Sequence, residues 1–436
     1  MILVGCEKLT INNPKRYAAP SAGRDQWFPY YAGFSSNFAG ELIASSRLAK
    51  GATLLDPWNG SGTTTSAATL NGYKTVGFDV NPVMAVVAKA RLVPQSAICS
   101  IPPLLSEIIA KAKCTKRQPK IDDPLTIWFT PDAAIAVRSI ERAIYRLLVS
   151  ADAGEEAIDS VGDLSTLAAF FYLALFRAVR SFVGPFRGSN PTWITRPRSP
   201  NCRIRPTAPT VWKCFSNNAM QMVSNCSLMP YEQEPRAEEF TIKVASSERL
   251  PLRRETVDFV LCSPPYCTRI DYGVATLPEL AVLGFEVDRR LCELRTCLIG
   301  TPTIHTDMPE PSASWGKTCL TLLNTIRRHQ SKAAKTYYYK TYVQYFSGIS
   351  RSFSELSRCL KRQAQCVVVV QDSYFKDVHV DLAKIFADIA VAVSLELRRR
   401  VDFPIGRSLG SINSRSRAYR TQRTATESVL CFDKVG

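Results

Sequence analysis

The sequence predicts an α/β fold with an open, largely parallel sheet, on the evidence of a βαβ pattern and two further buried strands. From Gly51 the chain runs GATLLDPWNGSGTTTSAATLNGYKTVGFDVNP. This is a short apolar strand, a Gly-rich turn, a helix of small residues and a second strand that ends at Asp79. Two more apolar runs, Val257–Leu261 and Cys366–Val370, have the composition of strands that a parallel sheet buries on both faces.

The chain between the second strand and Val257 has a different composition. Apolar residues at helical spacing occupy 140–148 and 164–183, and a Pro/Arg/Asn/Ser-rich stretch, PFRGSNPTWITRPRSPNCRIRP, follows them. This predicts a mainly helical insertion with an irregular basic loop. We therefore divide the chain into the first part of a main domain (residues 1–92), an inserted region (93–239) and the second part of the main domain (240–436).

The charge balance favours a polyanionic partner. Lys and Arg outnumber Asp and Glu by 55 to 38, which gives a net charge of +17 and a pI near 9.3. Nucleic acid is the first expectation and an anionic membrane surface the second. The apolar run Leu164–Phe176 is shorter than the roughly 20 residues of a spanning helix. Because the N-terminus also lacks a signal-peptide pattern, we expect a cytoplasmic protein, nucleoid-associated in a bacterium, without a membrane partner.

The metal-binding residue types are scattered. The 14 cysteines include no C-x-x-C pair, and the three histidines, His305, His329 and His379, lie far apart in sequence. In an intracellular chain this pattern indicates buried, reduced thiols. No metal is expected.

The Gly-rich turn after the first strand predicts a cofactor site, because it sets backbone N–H groups and a helix N-terminus beside a ligand. A P-loop would need lysine after Gly62, and a dinucleotide fingerprint would need glycine at Thr65. S-adenosylmethionine is the remaining ligand class that uses such a turn. Asp79, the acid at the end of the next strand, would accept hydrogen bonds from its ribose hydroxyls. A flexible turn and a capping aspartate are the structural alternative. The predicted cofactor residues are Asp56, Pro57, Trp58, Gly60, Ser61, Gly62, Thr63, Thr64 and Asp79.

The string SPPY follows the strand at Val257 directly, where open α/β sheets bind ligands. Two prolines stiffen this loop and leave Ser263 and nearby carbonyls free to accept hydrogen bonds. Chemistry on an amino group conjugated to a ring needs such acceptors, so the predicted catalytic residues are Ser263, Pro264, Pro265 and Tyr266. A base in a duplex must flip out to reach this loop, and Tyr266 is its expected stacking platform. Taken alone, SPPY is equally compatible with an ordinary strand-to-loop turn.

Cys262 and Cys267 flank this loop and raise the alternative of carbon methylation through a cysteine adduct. That mechanism usually presents cysteine after proline, and the chain contains no Pro-Cys dipeptide. We expect both thiols to be packing residues.

DPWNGSGTT resembles the cofactor motif, and SPPY the catalytic motif, of amino-methylating DNA methyltransferases of bacterial or phage type. The resemblance extends to WFPYYAGFSSNFAGELI, similar to the segment that closes over the methionine part of the cofactor. It also includes SSERLPLRRETVDFVLCSPPY and QDSYFKDVHVDLAKIFADIA, the latter interpreted as a helix. In all it covers most of residues 24–92 and 240–434. Trp58 replaces a common phenylalanine, and Ser246–Glu248 shows no clear acid for the adenine.

The resemblance implies a Rossmann-like class I S-adenosylmethionine-dependent methyltransferase sheet of seven strands, with an inserted, mainly helical target-recognition region. A serine-headed SPPY is more similar to cytosine-N4 enzymes than to adenine-N6 enzymes. Adenine-N6 methylation of DNA, guanine amino methylation of RNA and a catalytically inactive DNA-binding protein remain alternatives. The expected partner is double-stranded DNA, with a possible cognate restriction or defence system.

Two basic and aromatic clusters are candidates for holding phosphates and bases. One lies in the inserted loop, the other precedes the strand at Cys366, and a third basic segment lies near the C-terminus beside Arg398–Arg400. Solvated arginines and core tyrosines are the structural alternative. The predicted nucleic-acid residues are Arg187, Trp193, Arg196, Arg198, Lys335, Lys340, Arg407, Arg415 and Arg417, with Tyr337, Tyr338 and Tyr339 as neighbours.

Overall fold

Seven strands form one mixed sheet in a computed structural model that describes residues 5–15, 23–29, 33–114, 122–150, 161–188, 193–228, 239–267, 270–405 and 425–435. The strands are β1 (Thr53–Asp56), β2 (Lys74–Asp79), β3 (Phe240–Val244), β4 (Val257–Cys262), β5 (Leu360–Gln371), β8 (Leu395–Ile405) and β9 (Ala425–Lys434). Their order is β3-β2-β1-β4-β5-β9-β8. The first five are parallel, and β9 runs antiparallel to both β5 and β8. The expected Rossmann-like class I methyltransferase sheet is therefore confirmed.

A two-stranded hairpin follows the fifth strand, where the sequence had been interpreted as one helix. The hairpin consists of β6 (Ser373–Phe375) and β7 (Val378–Val380), and the helix begins only at Leu382. The helical interpretation of the whole segment is wrong. Burial alternates along the two short strands, with Ser373 and Phe375 of β6 and Val380 of β7 buried and their neighbours Tyr374 and His379 more exposed, which is the spacing of a strand.

Helices cover both faces of the sheet and fill the inserted region. They are α1 (Ser36–Ser46), α2 (Thr63–Leu70), α3 (Pro82–Arg91), α4 (Ile101–Cys114), α5 (Pro131–Leu148), α6 (Thr166–Phe182), α7 (Ala208–Leu228), α8 (Tyr272–Ala275), α9 (Leu277–Val282), α10 (Val287–Cys297), α11 (Gly316–Arg328), α12 (Tyr339–Cys359) and α13 (Leu382–Val391).

Several helices start at side chains that satisfy their first free N–H groups. Ser35 accepts from Phe38 N, and Ser165 accepts from Ala168 N. Asn81 caps α3 by accepting from Val83 N, with proline at the first helical position. Such caps stabilise a helix by about 1 kcal/mol each, and proline is favoured at that position because its missing N–H would be unpaired anyway.

Alternate residues of the central strands point to opposite faces, and both faces are buried. Leu54 of β1 packs with Phe259 of β4 under α1 and α2. Leu55 and Val260, the next residues along the same strands, pack under α11, α12 and α13. Burial on both faces explains why these strands are nearly continuous apolar runs.

The inserted helices share one apolar core with the main domain. Side chains of α4 to α7 pack in the same cluster as those of α3, which follows β2, and α9, which follows the SPPY loop. α6 contributes a continuous buried segment, Ala168–Phe176, to that core. The insertion therefore lies against the elements that form the carboxyl edge of the sheet.

The cysteines are all free, but they are not all buried as the sequence had suggested. Eight are buried and Cys214 is half-buried, whereas Cys99, Cys114, Cys202, Cys292 and Cys297 are exposed. The exposed thiols lie in or beside the helices and loops outside the sheet, where no apolar layer covers them.

Two further properties concern the described part of the chain only. It contains no group of three or more His, Cys, Asp or Glu side chains arranged to hold a metal ion. No single helix there has the length and apolar character needed to cross a membrane. The segments Pro82–Arg91 and Gln95–Cys114 meet that test only as a pair, and they are bent by 100°.

Candidate cofactor and catalytic crevice

A crevice opens where the strand order reverses. β1 has β2 on one side and β4 on the other, and open α/β sheets bind ligands outside the carboxyl ends of the strands at such a point. Asp56 ends β1, Asp79 ends β2, and Ser263 follows β4, and all three line the crevice. Its empty volume, including the open mouth, is about 1180 Å³.

The crevice brings together most of the predicted cofactor residues and half of the catalytic loop. The predicted residues that line it are Asp56, Pro57, Trp58, Ser61, Thr63, Asp79, Ser263 and Pro265. Gly60, Gly62, Thr64, Pro264 and Tyr266 lie next to these residues in sequence but are not part of the lining. The cofactor and catalytic roles of both groups stay predictions.

Asp56 fixes the start of the cofactor loop from a buried position. Its Oδ1 accepts from Trp58 N at 3.0 Å, and its Oδ2 lies 2.6 Å from the Thr64 hydroxyl. That hydroxyl also lies 3.1 Å from the Leu261 carbonyl of β4. Because the hydroxyl has one hydrogen for two acceptors, a protonated Asp56 suits this arrangement. Burial raises the pKa of Asp56 from 3.8 to about 7, against the effect of its hydrogen bonds.

Asp79 holds the other end of the loop. Its Oδ2 accepts from Gly60 N at 2.9 Å and its Oδ1 from Asn81 N at 2.8 Å. Each oxygen retains a lone pair that a ligand hydroxyl can use. Burial raises the pKa of Asp79 to about 6, and the two backbone donors limit that rise. The ionised form of Asp79 therefore predominates at neutral pH and is available as an acceptor.

Asn59 was missed by sequence reasoning, although it anchors the middle of the loop. Its N–H donates to the Phe78 carbonyl at 2.9 Å, and its Oδ1 accepts from the Thr65 hydroxyl at 3.0 Å. The side chain lies against Gly77 of β2, where a Cβ would come within 2.6 Å of it. A glycine on the neighbouring strand was the available signal, but only the strand register shows that the two residues meet.

Hydrogen bonds from two tyrosines hold the backbone of the catalytic loop, and its serine lines the crevice. Ser263 lines the crevice and makes no hydrogen bond within the described residues. The Pro265 carbonyl accepts from the Tyr345 hydroxyl at 3.0 Å, and Tyr266 N lies 3.5 Å from the Tyr272 hydroxyl. Two tyrosines from other helices thus fix the loop backbone and leave the Ser263 hydroxyl for a ligand.

The cysteines beside this loop have the properties of packing residues. Cys262 and Cys267 are both buried in the core under α12. Burial raises the pKa of the Cys262 thiol well above its usual value. A thiol that resists ionisation is a poor nucleophile, which agrees with the expectation from sequence.

The remaining walls come from distant parts of the chain. Phe28 and Phe34 belong to the segment whose resemblance predicted closure over the methionine part of a cofactor. Others had no role predicted from the sequence, and of these only Arg180 lies outside the ranges that the resemblance covers. These are Val80, Asn81, Met84, Arg180, Ser247, Ile270, Tyr272, Ala275, Thr276, Cys297, Leu298 and Ile299.

Comparison with known proteins gives one local match. No protein-family model matches the chain. A stretch of 57 residues, 13% of the chain, is 44% identical to the type II methyltransferase M.BsoBI of Geobacillus stearothermophilus. That match spans 11% of the relative's length.

Solved structures with low sequence identity align over more of the chain. Geranyl diphosphate methyltransferase in complex with GPP and sinefungin is 9% identical, with a TM-score of 0.33 over 92% of this chain and 80% of that one. A SAM-dependent methyltransferase from Methanosarcina mazei is 10% identical, with a TM-score of 0.29 over 90% and 97%. These scores are low, so the strand order carries the fold assignment. The chain has the fold of class I S-adenosylmethionine-dependent methyltransferases.

The predicted nucleic-acid residues lie on the surface where the structure describes them. Arg187, Trp193, Arg196 and Arg198 are exposed, and Arg196 pairs with Asp288 at 2.7 Å. Lys335 and Lys340 are also exposed. Arg407, Arg415 and Arg417 lie outside the described residues.

The tyrosines of the second cluster are used mainly in packing. Tyr338 packs on Phe375 with ring centroids 5.1 Å apart, and the Tyr337 hydroxyl donates to the Pro302 carbonyl at 3.1 Å. The neighbouring lysines, by contrast, make no ion pair within the described residues. Lys335 and Lys340, which the sequence predicted to contact phosphates, are therefore unpaired among the described residues, whereas Tyr337 and Tyr338, predicted to stack on bases, contact other parts of the protein.

Arg398–Arg400 do not supply the free positive charge that the sequence suggested. Arg398 pairs with Glu396 and Asp433, and Arg400 pairs with Asp402 and Asp381. Arg399 donates to the carbonyls of Glu7 and Leu9. Of the four acidic partners, Glu396 and Asp402 lie on β8 itself, Asp433 lies on β9, and Asp381 precedes α13.

The raised pKa of Asp56 predicts a pH-dependent loss of stability. Between about pH 4 and 7 the folded chain binds a proton at Asp56 that the unfolded chain has released, so the free energy of unfolding falls as pH rises through that window. Asp56→Asn mimics the protonated form and lacks this dependence. We expect wild type and variant to be similarly stable near pH 4, and the variant to be more stable by roughly 3–4 kcal/mol at pH 8. Urea unfolding across that range measures the gap, and a gap independent of pH contradicts the prediction.

Proposed function

We propose that this chain is a methyltransferase that transfers the methyl group of S-adenosylmethionine to the exocyclic amino group of a flipped-out DNA base, with cytosine-N4 as the target atom. The observation that carries the proposal is the position of Ser263. Its hydroxyl has no hydrogen bond within the described residues and lines the same crevice as Asp56 and Asp79. A free acceptor beside a cofactor site is what amino-group chemistry requires.

The residues of the crevice suit S-adenosylmethionine. That molecule has a sulfonium cation, two ribose hydroxyls and an adenine ring with flat aromatic faces. Asp79 offers acceptors to hydroxyls and Asp56 adds a second carboxyl group, while Phe28, Phe34 and Trp58 supply apolar walls. When bound, the cofactor supplies a methyl group activated by a positively charged sulfur.

The catalytic loop would orient the amino group. Ser263 Oγ accepts one amino hydrogen and the Pro264 carbonyl the other, which turns the nitrogen lone pair toward the methyl carbon. The amino nitrogen would then receive the methyl group as the sulfur–carbon bond breaks, leaving a neutral thioether, and the nitrogen would lose one proton to solvent. Tyr266 stacks on the flipped base. No covalent link to the enzyme is needed, in agreement with the buried thiols of Cys262 and Cys267.

DNA is favoured as the substrate by two observations. The local match is to a type II methyltransferase. An exposed basic surface, which we define as Arg327, Arg328, Lys332, Lys335 and Lys340, also makes no ion pair within the described residues. Unpaired cations release counterions when they contact phosphates, and this release drives nucleic-acid binding. A cognate restriction or defence system remains part of the proposal.

The test is to identify the methylated nucleoside. The purified protein is incubated with isotopically labelled S-adenosylmethionine and either duplex DNA or RNA, and the product is digested to nucleosides for mass spectrometry. We expect label in N4-methyldeoxycytidine from DNA. Label only in N6-methyldeoxyadenosine would show that adenine, and not cytosine, is the target base. Label only in RNA would reject DNA as the substrate. No label, together with no cofactor binding by calorimetry, would leave a DNA-binding protein of this fold.

The basic surface predicts how DNA binding responds to salt. The double variant K335A/K340A removes two phosphate contacts, so the slope of log K against log salt becomes shallower by about 2. Arg398→Ala is the matched control, because Arg398 is exposed but already paired with Glu396 and Asp433. Fluorescence anisotropy at several salt concentrations measures both slopes. Equal slopes for wild type and K335A/K340A would show that Lys335 and Lys340 do not contact DNA phosphates.

A further inference from the structure

One cation lines the crevice among the described residues, and it comes from the inserted helices. Arg180 lies in the last turn of α6 and is 7% exposed. The other charged residues in the lining are the acids Asp56 and Asp79. A buried guanidinium is costly unless its donors are used, so its contacts indicate what it is for.

The known partners of Arg180 occupy only part of its hydrogen-bonding capacity. Nε donates to Glu279 Oε1 at 2.5 Å, and Nη2 donates to the Ala275 carbonyl at 3.0 Å. The guanidinium carbon stands 4.8 Å from the centroid of the Phe28 ring, itself part of the crevice wall. Nη1 has no hydrogen bond within the described residues. One charged donor therefore remains available at the crevice.

A second buried arginine shows that the same fold can satisfy such a group completely. Arg138 lies on the neighbouring helix α5, is 8% exposed, and also reaches toward α9. Its Nε and Nη2 both donate to Asp123, and its Nη1 donates to Glu141 at 3.2 Å and to the Val282 carbonyl at 2.7 Å. Arg138 does not line the crevice. Unused donor capacity thus distinguishes the arginine that faces the crevice.

We infer that Arg180 Nη1 donates to the amino-acid carboxylate of the cofactor. The inference rests on the proposed binding of S-adenosylmethionine. In that ligand the carboxylate is the anionic group, and Arg180 is the cationic side chain described in the crevice lining. Hydrogen bonds between charged partners are the stronger class. Glu279 holds the guanidinium plane through one contact and leaves Nη1 for the ligand.

The inference gives the inserted region a part in cofactor binding. α6 supplies Arg180, while the two helices that follow the SPPY loop supply its protein partners, Ala275 at the end of α8 and Glu279 in α9. The cofactor's carboxylate would then be held by an element of the insertion that is itself fixed to the catalytic half of the domain.

Calorimetry with two cofactor analogues tests the inference. S-adenosylhomocysteine carries the carboxylate, whereas 5′-methylthioadenosine keeps the adenosine and sulfur but lacks the amino-acid part. The variant is R180Q/E279Q, which removes the buried pair together so that no charge is left unpaired. We expect it to bind S-adenosylhomocysteine 10- to 100-fold more weakly and 5′-methylthioadenosine within threefold of wild type. The control is D123N/R138Q/E141Q, which removes Arg138 together with both of its acidic partners in the same core but outside the crevice, and it should leave both affinities unchanged.

The remaining outcomes separate this inference from the proposed function. Equal weakening for both analogues would mean that Arg180 only maintains the shape of the crevice, which overturns the inference. Unchanged affinity for both, with weaker DNA binding, would assign Arg180 to the nucleic acid and also overturns it. Wild type that binds neither analogue contradicts the proposed function instead. If R180Q/E279Q does not fold, as judged by thermal unfolding, Arg180→Lys keeps a cation opposite Glu279 and should show the same selective loss.

Discussion

Replacing Gly62 by alanine is expected to destabilise the protein by about 3 kcal/mol and to weaken cofactor binding at least tenfold. Gly62 precedes α2 with φ near 81°, a left-handed conformation that costs other residues about 1 kcal/mol or more. A Cβ there would also lie 2.8 Å from Ala88 Cβ and 3.0 Å from Ala88 Cα. Since Ala88 is a buried residue of α3, its backbone cannot move aside freely. Overpacking of this kind adds roughly 1–3 kcal/mol.

Gly51→Ala is the matched control for this prediction. Gly51 has a similar φ of 76°, but nothing lies within 4 Å of an added Cβ. The control therefore carries the conformational strain without the steric overlap, and we expect it to cost about 1 kcal/mol. Thermal unfolding and calorimetry with S-adenosylhomocysteine measure both effects. Equal losses for the two variants would show that the approach of α2 to α3 does not position the cofactor loop.

The parts of the fold that could be predicted from sequence are those whose signal is local. β1, β2 and β4 were predicted because a strand buried on both faces is a continuous apolar run. The hairpin β6–β7 was not predicted, because its turn lacks the usual Asn-Gly or Asp-Gly signal. Lys376, with φ near 54°, occupies the left-handed position instead. A segment without a turn signal is then easily interpreted as part of the helix that follows.

The same distinction holds for the crevice. Asp56, Asp79 and Ser263 each end or follow a predicted strand, so their meeting at one sheet edge follows from the order of elements. Arg180 and Ser247 reach the crevice through the packing of helices and loops far apart in sequence. No local pattern marks such residues, and a buried arginine in an apolar helix has the same sequence context whether it faces a ligand or, like Arg138, only the core.

The final prediction concerns catalysis: Ser263→Ala should lower kcat about 100-fold while leaving the affinity for S-adenosylhomocysteine within threefold of wild type. The physical reason is that a preorganised hydrogen-bonding partner acts on the reacting amino group rather than on the cofactor, and losing one such partner typically costs two to three orders of magnitude in rate. The fold should survive, because Ser263 makes no hydrogen bond within the described residues. Single-turnover methylation of duplex DNA separates the chemical step from product release.

Ser247→Ala is the control that gives this experiment its meaning. Ser247 lines the same crevice, but its hydroxyl is already 2.9 Å from that of Ser352. Removing the Ser247 hydroxyl should change kcat by less than threefold, because that hydroxyl is hydrogen-bonded to Ser352 and has no proposed contact with the reacting atoms. A loss of kcat in both variants would point to a general disturbance of the crevice. An unchanged kcat in Ser263→Ala would mean that other acceptors hold the amino group. The role proposed for Ser263 would then be assigned to the backbone carbonyl of Pro264.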